Sequence, residues 1–205
     1  MEIISIVTTL FGENCYVLKD GGEAIVVDPG EATPEVMGAL EGCTVTAVVI
    51  THGHIDHVGG TADIVDKFGC EVLCHAESVE MMKHVKLQGQ KYGMDVQDVP
   101  SVDRFLDEGD KVKVGEVELD VLNCPGHAPG HIALVGDGFV VVGDVLFQGS
   151  IGRTDLPGGS LEVLMASIRD KLLPLPDDMV VLSGHGPNTT IGHERITNPF
   201  IMQYL

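Results

Sequence analysis

Thr51-His52-Gly53-His54-Ile55-Asp56-His57 places three histidines and one carboxylate within seven residues. Neutral imidazole and carboxylate are the ligands that zinc, iron and manganese accept. The apolar run Ala47-Val48-Val49-Ile50 just before the block reads as a short buried strand. Gly59-Gly60 and a helical pattern follow it. The ligand-type residues are therefore expected on a loop at the end of a strand, where α/β proteins commonly place their chemistry.

Working outward, later strands end in the same way. The run 117–122 leads into Asn123-Cys124-Pro125-Gly126-His127-Ala128-Pro129-Gly130-His131. The run 139–142 leads into Gly143-Asp144, and 179–182 into Ser183-Gly184-His185-Gly186. Glycine beside a ligand lets backbone approach closely, so four such loops can converge at one edge of a sheet. His52 and His54, two apart, point the same way in extended chain and can grip one ion. Asp56 and His57 follow an expected change of direction and can face a second. His127 and His185 would complete the two sets and Asp144 could bridge them, but spacing alone does not choose between His127 and His131.

The rest of the chain frames these loops. Cys15–Leu18 and Ala24–Val27 flank an Asp20-Gly21-Gly22 turn and read as a hairpin. Thr33 is placed to cap a helix through Leu40, with Pro34 at its first position. Helices are predicted over 59–68, 77–92 and 161–172, and strands over 70–74, 112–114, 117–122, 132–135, 139–142 and 179–182, with a loop over 93–104. Clustered strands with interspersed helices argue for two layered sheets with helices outside, not an alternating Rossmann order.

Composition bounds the function. The chain has 205 residues, enough for one compact domain with a real core. Twelve basic against 31 acidic residues give a net charge of −19. That charge repels phosphate backbones and anionic membranes, so neither nucleic acid nor membrane is an expected partner. Five cysteines form no C-x-x-C pair, and the start Met1-Glu2-Ile3-Ile4-Ser5 has no basic leader. A reduced, cytoplasmic protein with free thiols is the expectation.

The chain resembles metallo-β-lactamase-fold hydrolases, specifically the glyoxalase II branch. The motifs T-H-x-H-x-D-H, P-G-H-x-P-G-H, G-D-x-L-F, G-R-T-D and G-H-G occur in family order, and the resemblance runs from Asn14-Cys15-Tyr16 to Asn198-Pro199-Phe200. It implies an α/β fold, a four-layer αββα sandwich, with residues 1–205 as a single domain. It also implies two divalent metal ions, zinc expected, with iron or manganese as alternatives. His52, His54 and His127 would hold the first, Asp56, His57 and His185 the second, and Asp144 both. His131 then reads as a structural or hydrogen-bonding residue beside the site. Asp28 resembles the family's aspartate behind the histidine loop, and reads equally well as a turn residue.

The activity so implied is hydrolysis of a small thioester, similar to hydroxyacylglutathione or lactoylglutathione, by a metal-bridging hydroxide. Asp56 and Asp144 are the catalytic carboxylates, Asp56 orienting the hydroxide. Two divalent ions less two aspartates and one hydroxide leave the centre at about +1 on a formal count, attractive to a small anion even in an acidic chain. Arg153 lies where glyoxalase II-like proteins place a basic residue towards the thiol; its alternative is a surface ion pair with Asp155. Full-length glyoxalase II carries a helical C-terminal extension that supplies much of its glutathione contact. Here 20 residues follow His185, with Arg195 their one basic residue, similar to short bacterial and archaeal relatives. The alternatives are a mononuclear-iron persulfide dioxygenase of the same fold, which would need only His52, His127 and Asp144, and a hydrolase of lactones or other small esters.

Overall fold

The computed structural model describes residues 1–204, which divide into two compact units. The first comprises Met1–Leu106 with Lys113–Glu118, the second Asp107–Val112 with the chain from Leu119 onward.

The first unit is built on a six-stranded mixed sheet: β1 (Glu2–Thr8), β2 (Glu13–Asp20), β3 (Glu23–Val27), β4 (Thr44–Ile50), β5 (Glu71–Cys74) and β6 (Arg104–Phe105), side by side in that order. β1, β2 and β3 run antiparallel in succession, whereas β3 to β6 are parallel. Parallel strands need crossovers, and helices supply them. They are α1 (Pro34–Ala39), α2 (Ile55–Val58), α3 (Thr61–Phe68), α4 (Val79–Met82) and α5 (Val85–Tyr92). Period-2 alternation selects one face: Cys15 and Val17, Ala24 and Val26, Val48 and Ile50, Val72 and Cys74 share a core with Val36, Ile55, Ile64 and Val85 of the helices. The opposite-facing Tyr16, Leu18, Ile25, Val27 and Val49 are buried too, which explains why 47–50 is a continuous apolar run. Each such aliphatic side chain contributes about 1.5–3 kcal/mol by leaving water.

In the second sheet the order is β14 (Thr189–Thr190), β13 (Val180–Ser183), β10 (Phe139–Gly143), β9 (Ile132–Gly136), β8 (Val117–Asn123) and β7 (Lys111–Val114). β10 and β13 are parallel, and β8, β9 and β10 antiparallel. The tip of the β7–β8 hairpin belongs to the first unit, where Gly115 N–H donates to Glu23 and Glu116 N–H to Asp20. A two-stranded ribbon, β11 (Leu146–Phe147) with β12 (Ser150–Ile151), follows β10. The helices of this unit are α6 (Leu161–Ser167), α7 (Ile191–Thr197) and α8 (Pro199–Tyr204). Leu164, Ile168 and Leu172 recur every four residues and enter the core with Val140, Val142 and Val181.

Most predicted elements are present, with three corrections. Asp56 and His57 lie on the short helix α2, not in a loop. The helix predicted over 77–92 is a single 3₁₀ turn at Ala76–Ser78 followed by α4 and α5, broken at Lys83-His84, where His84 leaves helical dihedrals. The helix predicted over 161–172 changes to a wider π turn over Ile168–Leu172. Thr33 caps α1 as expected, its hydroxyl accepting from Val36 N–H with Pro34 at the first position.

Candidate metal centre

Each unit carries one cluster of ligand-type side chains at strand ends. In the first, β3 ends at Val27 and delivers Asp28; β4 ends at Ile50 and delivers Thr51 to His57. Asp28 and His52 and His57 offer donor atoms that all lie within 4.8 Å of one another, and all three side chains are buried. Asp28 adopts the left-handed φ of +52°, which aspartate tolerates better than most residues. Its oxygens are committed to protein donors. Oδ1 accepts from Thr51 N–H at 2.7 Å, and Oδ2 from the Thr51 hydroxyl at 2.6 Å and from His57 Nδ1 at 3.0 Å. Asp28 therefore holds the histidine loop, and it is the turn residue as well; both sequence readings of it apply.

These bonds fix the tautomers. The Thr51 hydroxyl spends its proton on Asp28, so at 3.0 Å it accepts from His52 Nδ1–H. His52 Nε2 then carries the lone pair. His57 donates its Nδ1–H to Asp28, and its buried Nε2 likewise carries the lone pair. His52 Nε2 and His54 Nδ1 lie 2.9 Å apart. Two ring nitrogens at that distance need a positive centre shared between them: a proton held by one, or a metal ion bound by both.

Close backbone approach positions this loop. A Cβ at Gly30 would overlap the Asp56 carbonyl oxygen, and one at Gly59 would lie 2.6 Å from the Gly30 carbonyl oxygen. Asp56 occupies the first turn of α2, where a carboxylate also complements the helix dipole.

In the second unit Asp144 follows β10 directly. The β10–β13 register shifts between Val141 and Gly143, and Gly143 takes φ +48°; such an irregularity re-aims the next side chain. Asp144 Oδ2 then stands 3.5 Å from His127 Nε2 and 3.6 Å from His185 Nε2. Both distances are too long for hydrogen bonds. They match the roughly 3.4 Å between two donors that each sit about 2.1 Å from one tetrahedral ion. His127 Nδ1–H donates to the Arg153 carbonyl at 2.8 Å, leaving Nε2 basic. His131, fully buried, accepts from Asp144 N–H through Nε2 at 3.1 Å, so it holds the backbone of the aspartate. A Cβ at Gly152 would overlap the Asp144 carbonyl oxygen and lie 3.0 Å from His127 Nδ1.

Of the predicted residues, His52, His54 and His57 are thus brought together in the first unit, with Asp56 on the adjoining helix. His127, Asp144 and His185 are brought together in the second. Arg153 is exposed and makes a two-pronged ion pair with Asp155, both contacts at 2.7 Å; the surface pair anticipated as its alternative is present. The Arg153 hydrogen bond holds the Asp155 carboxyl down at about 2. The sequence offered no signal for the role of the Arg153 carbonyl, and only the Thr51-His52 adjacency hinted at the hydroxyl relay from Asp28. Cys74 ends β5 buried, as read, and His75 accepts from Glu77 N–H at a helix start. No helix among the described residues is long and apolar enough to cross a membrane.

Comparison with known proteins agrees with this donor chemistry. Residues 8–185 match the family model of the metallo-beta-lactamase superfamily. The hydroxyacylglutathione hydrolase GloC of Haemophilus influenzae is 38% identical over 213 residues, covering 98% of this chain and 98% of the relative. The crystal structure of BLEG-1 B3 metallo-beta-lactamase is similar with a TM-score of 0.89 and 35% identity, covering 98% of this chain and 99% of that one. TTHA1623 in a di-iron-bound form gives a TM-score of 0.87 and 36% identity, covering 96% and 99%.

Proposed function

We propose that this chain hydrolyses small thioesters, and the premise is its family: it belongs to the metallo-beta-lactamase superfamily and has that α/β fold, with two mixed sheets and helices. We assign His52, His54 and His127 to one divalent ion, Asp56, His57 and His185 to a second, and Asp144 to both. One observation carries the assignment: two imidazole Nε2 atoms, of His127 and His185, stand at ligand–ligand distance from a single oxygen of a buried carboxylate. A buried carboxylate with two imidazoles around it is a donor set suited to a cation.

A divalent pair, when bound, lowers the pKa of coordinated water from 15.7 towards about 7 and polarises a carbonyl. The chain supplies the rest. Asp28 and the Arg153 carbonyl hold ring protons on Nδ1 of His57 and His127, so that in the neutral rings Nε2 carries the lone pair. Asp56 orients the attacking water. Arg153, exposed and already gripping a carboxylate, takes the substrate's carboxylate in exchange for Asp155. The GloC relative, at 38% identity across nearly its whole length, supports a hydroxyacylglutathione-like thioester as substrate; a borderline-soft metal also suits a thiolate leaving group. The di-iron form of TTHA1623 supports iron as a metal beside zinc.

The test is to measure metal identity and stoichiometry and to assay lactoylglutathione, simple thioesters and a lactone. Two metals per chain with thioester turnover is the expected result. One iron per chain with persulfide-dependent oxygen uptake overturns it, and a His54→Ala variant with full hydrolysis sinks the ligand assignment.

A further inference from the structure

The motif Asn198-Pro199-Phe200 lies outside the ligand set, yet its contacts lead back to it. Asn198 Oδ1 accepts from Phe200 N–H at 3.0 Å and Ile201 N–H at 3.5 Å, with Pro199 opening α8: an N-cap followed by proline. With its oxygen so committed, the amide nitrogen faces the other way. It donates to the Ser150 carbonyl at 3.0 Å and to Glu194 Oε2 at 2.8 Å.

Glu194, on α7, is fully buried. Its carboxylate accepts from the Thr189 hydroxyl at 2.6 Å, from Asn198, and from Gly149 N–H at 2.9 Å. Glu194 and Asn198 therefore grip the tip of the β11–β12 ribbon at two successive backbone groups, Gly149 N–H and Ser150 C=O. The ribbon needs such a grip. It has two paired positions, Leu146 with Ile151 and Phe147 with Ser150, and a two-stranded ribbon of that size is marginal by itself. The Ser183 hydroxyl holds its base, donating to Leu146 C=O at 2.8 Å. Asp144 lies two residues before this ribbon. Gly152 and Arg153 lie directly after it, and the Arg153 carbonyl holds the His127 ring.

We infer that Glu194 and Asn198 are positioning residues that clamp the 146–151 ribbon, and through it fix the His127 ring and present the Arg153 guanidinium. The inference rests on the proposed ligand and substrate roles of His127 and Arg153, but its geometry does not require either ion or thioester. A charged acceptor buried with three donors is a strong and directional tie. Glu194→Gln turns one acceptor into a donor that faces donors. Asn198→Ala removes both donated bonds at once.

The experiment compares Glu194→Gln and Asn198→Ala with Arg195→Ala. Arg195 sits on the same helix as Glu194 but binds the Leu173 and Leu175 carbonyls and pairs with Asp177, away from the ribbon, so its loss loosens the anchoring of α7 without touching the ribbon. Hydrogen-exchange mass spectrometry reads residues 145–153, and NMR reads the His127 Nδ1 proton, both without metal or substrate. Zinc titration, KM and kcat follow. In the two clamp variants, exchange over 149–153 should accelerate and the ring proton should exchange with water. Zinc affinity should fall by about 10- to 100-fold, and KM for an anionic thioester should rise more than kcat falls. Arg195→Ala should lower the melting temperature and leave these readouts unchanged. If the clamp variants behave like Arg195→Ala, with 149–153 and the ring proton unmoved, the inference is wrong. Should Glu194→Gln not fold, Thr189→Val strips one donor from the same carboxylate and gives the graded version. Absence of thioester turnover in the parent protein would defeat the substrate reading alone, because exchange and the ring proton still decide the clamp.

Discussion

Asp28 Oδ2 accepts from His57 Nδ1 at 3.0 Å with both side chains sealed from water. The same carboxylate holds the backbone and hydroxyl of Thr51, so one residue sets the shape and the tautomers of the histidine loop.

Asp28→Asn should therefore act on both stability and metal. Asparagine tolerates the left-handed φ, so the change isolates the carboxylate. It leaves one of three donors facing an amide N–H, at a cost of about 1–3 kcal/mol, and weakens zinc binding by about 10- to 100-fold. Urea unfolding with zinc titration measures both; unaltered zinc affinity would separate Asp28 from the site.

Glu13 is fully buried, with Thr8 donating to Oε2 at 2.5 Å and no partner on Oε1. Burial pushes its carboxyl well above the ordinary range, against the pull of His57. A raised folded pKa contributes stability that is complete below the unfolded value of about 4.3 and fades as pH rises towards the folded one. Glu13→Gln removes that dependence. Its unfolding free energy should match the parent's near pH 4 and exceed it progressively towards pH 8. Parallel curves across that range would show that Glu13 ionises normally.

At Gly152 there is no room for a methyl group. Gly152→Ala drives Cβ into the Asp144 carbonyl and against His127 Nδ1, and overpacking of this kind costs about 1–3 kcal/mol. Metal content after dialysis should fall with stability. A variant that melts lower but keeps its full metal complement would mean that the backbone relaxes away from both Asp144 and His127.

For Arg153 and Asp155 the prediction is a titration. The Arg153 hydrogen bond depresses the Asp155 carboxyl to about 2, so their pairing is complete above the ordinary value of about 3.9 and is lost as pH falls through about 2. In Arg153→Ala, carboxyl NMR should find Asp155 back near the ordinary value. If Arg153 binds substrate, Arg153→Ala raises KM and Asp155→Asn, which frees the guanidinium, lowers it. Opposite or null KM effects would leave the pair a surface feature.

Much of this was legible in residue order because its causes are local. The Asp20-Gly21-Gly22 hairpin, the Thr33-Pro34 helix start and the apolar strand before His52 follow from turn chemistry, capping and periodicity. The break at His84 and the π turn after Ser167 were not legible, because packing overrides a helical pattern that runs on past them. The ribbon at 146–151 was missed as well: its strands are too short for a periodic signal and are held by Glu194 and Asn198, more than 40 positions away.

By itself the sequence determined which residue types stand at strand ends, and so the donor chemistry: imidazoles and carboxylates beside glycines. Only the tertiary structure decided which nitrogen carries the lone pair in His52, His57 and His127, that His131 accepts from the Asp144 backbone, and that the Arg153 carbonyl holds the His127 ring. Tautomers and carbonyl contacts are set by hydrogen-bond partners distant in sequence, whereas strand-end residues are set by the pattern of the strand that precedes them.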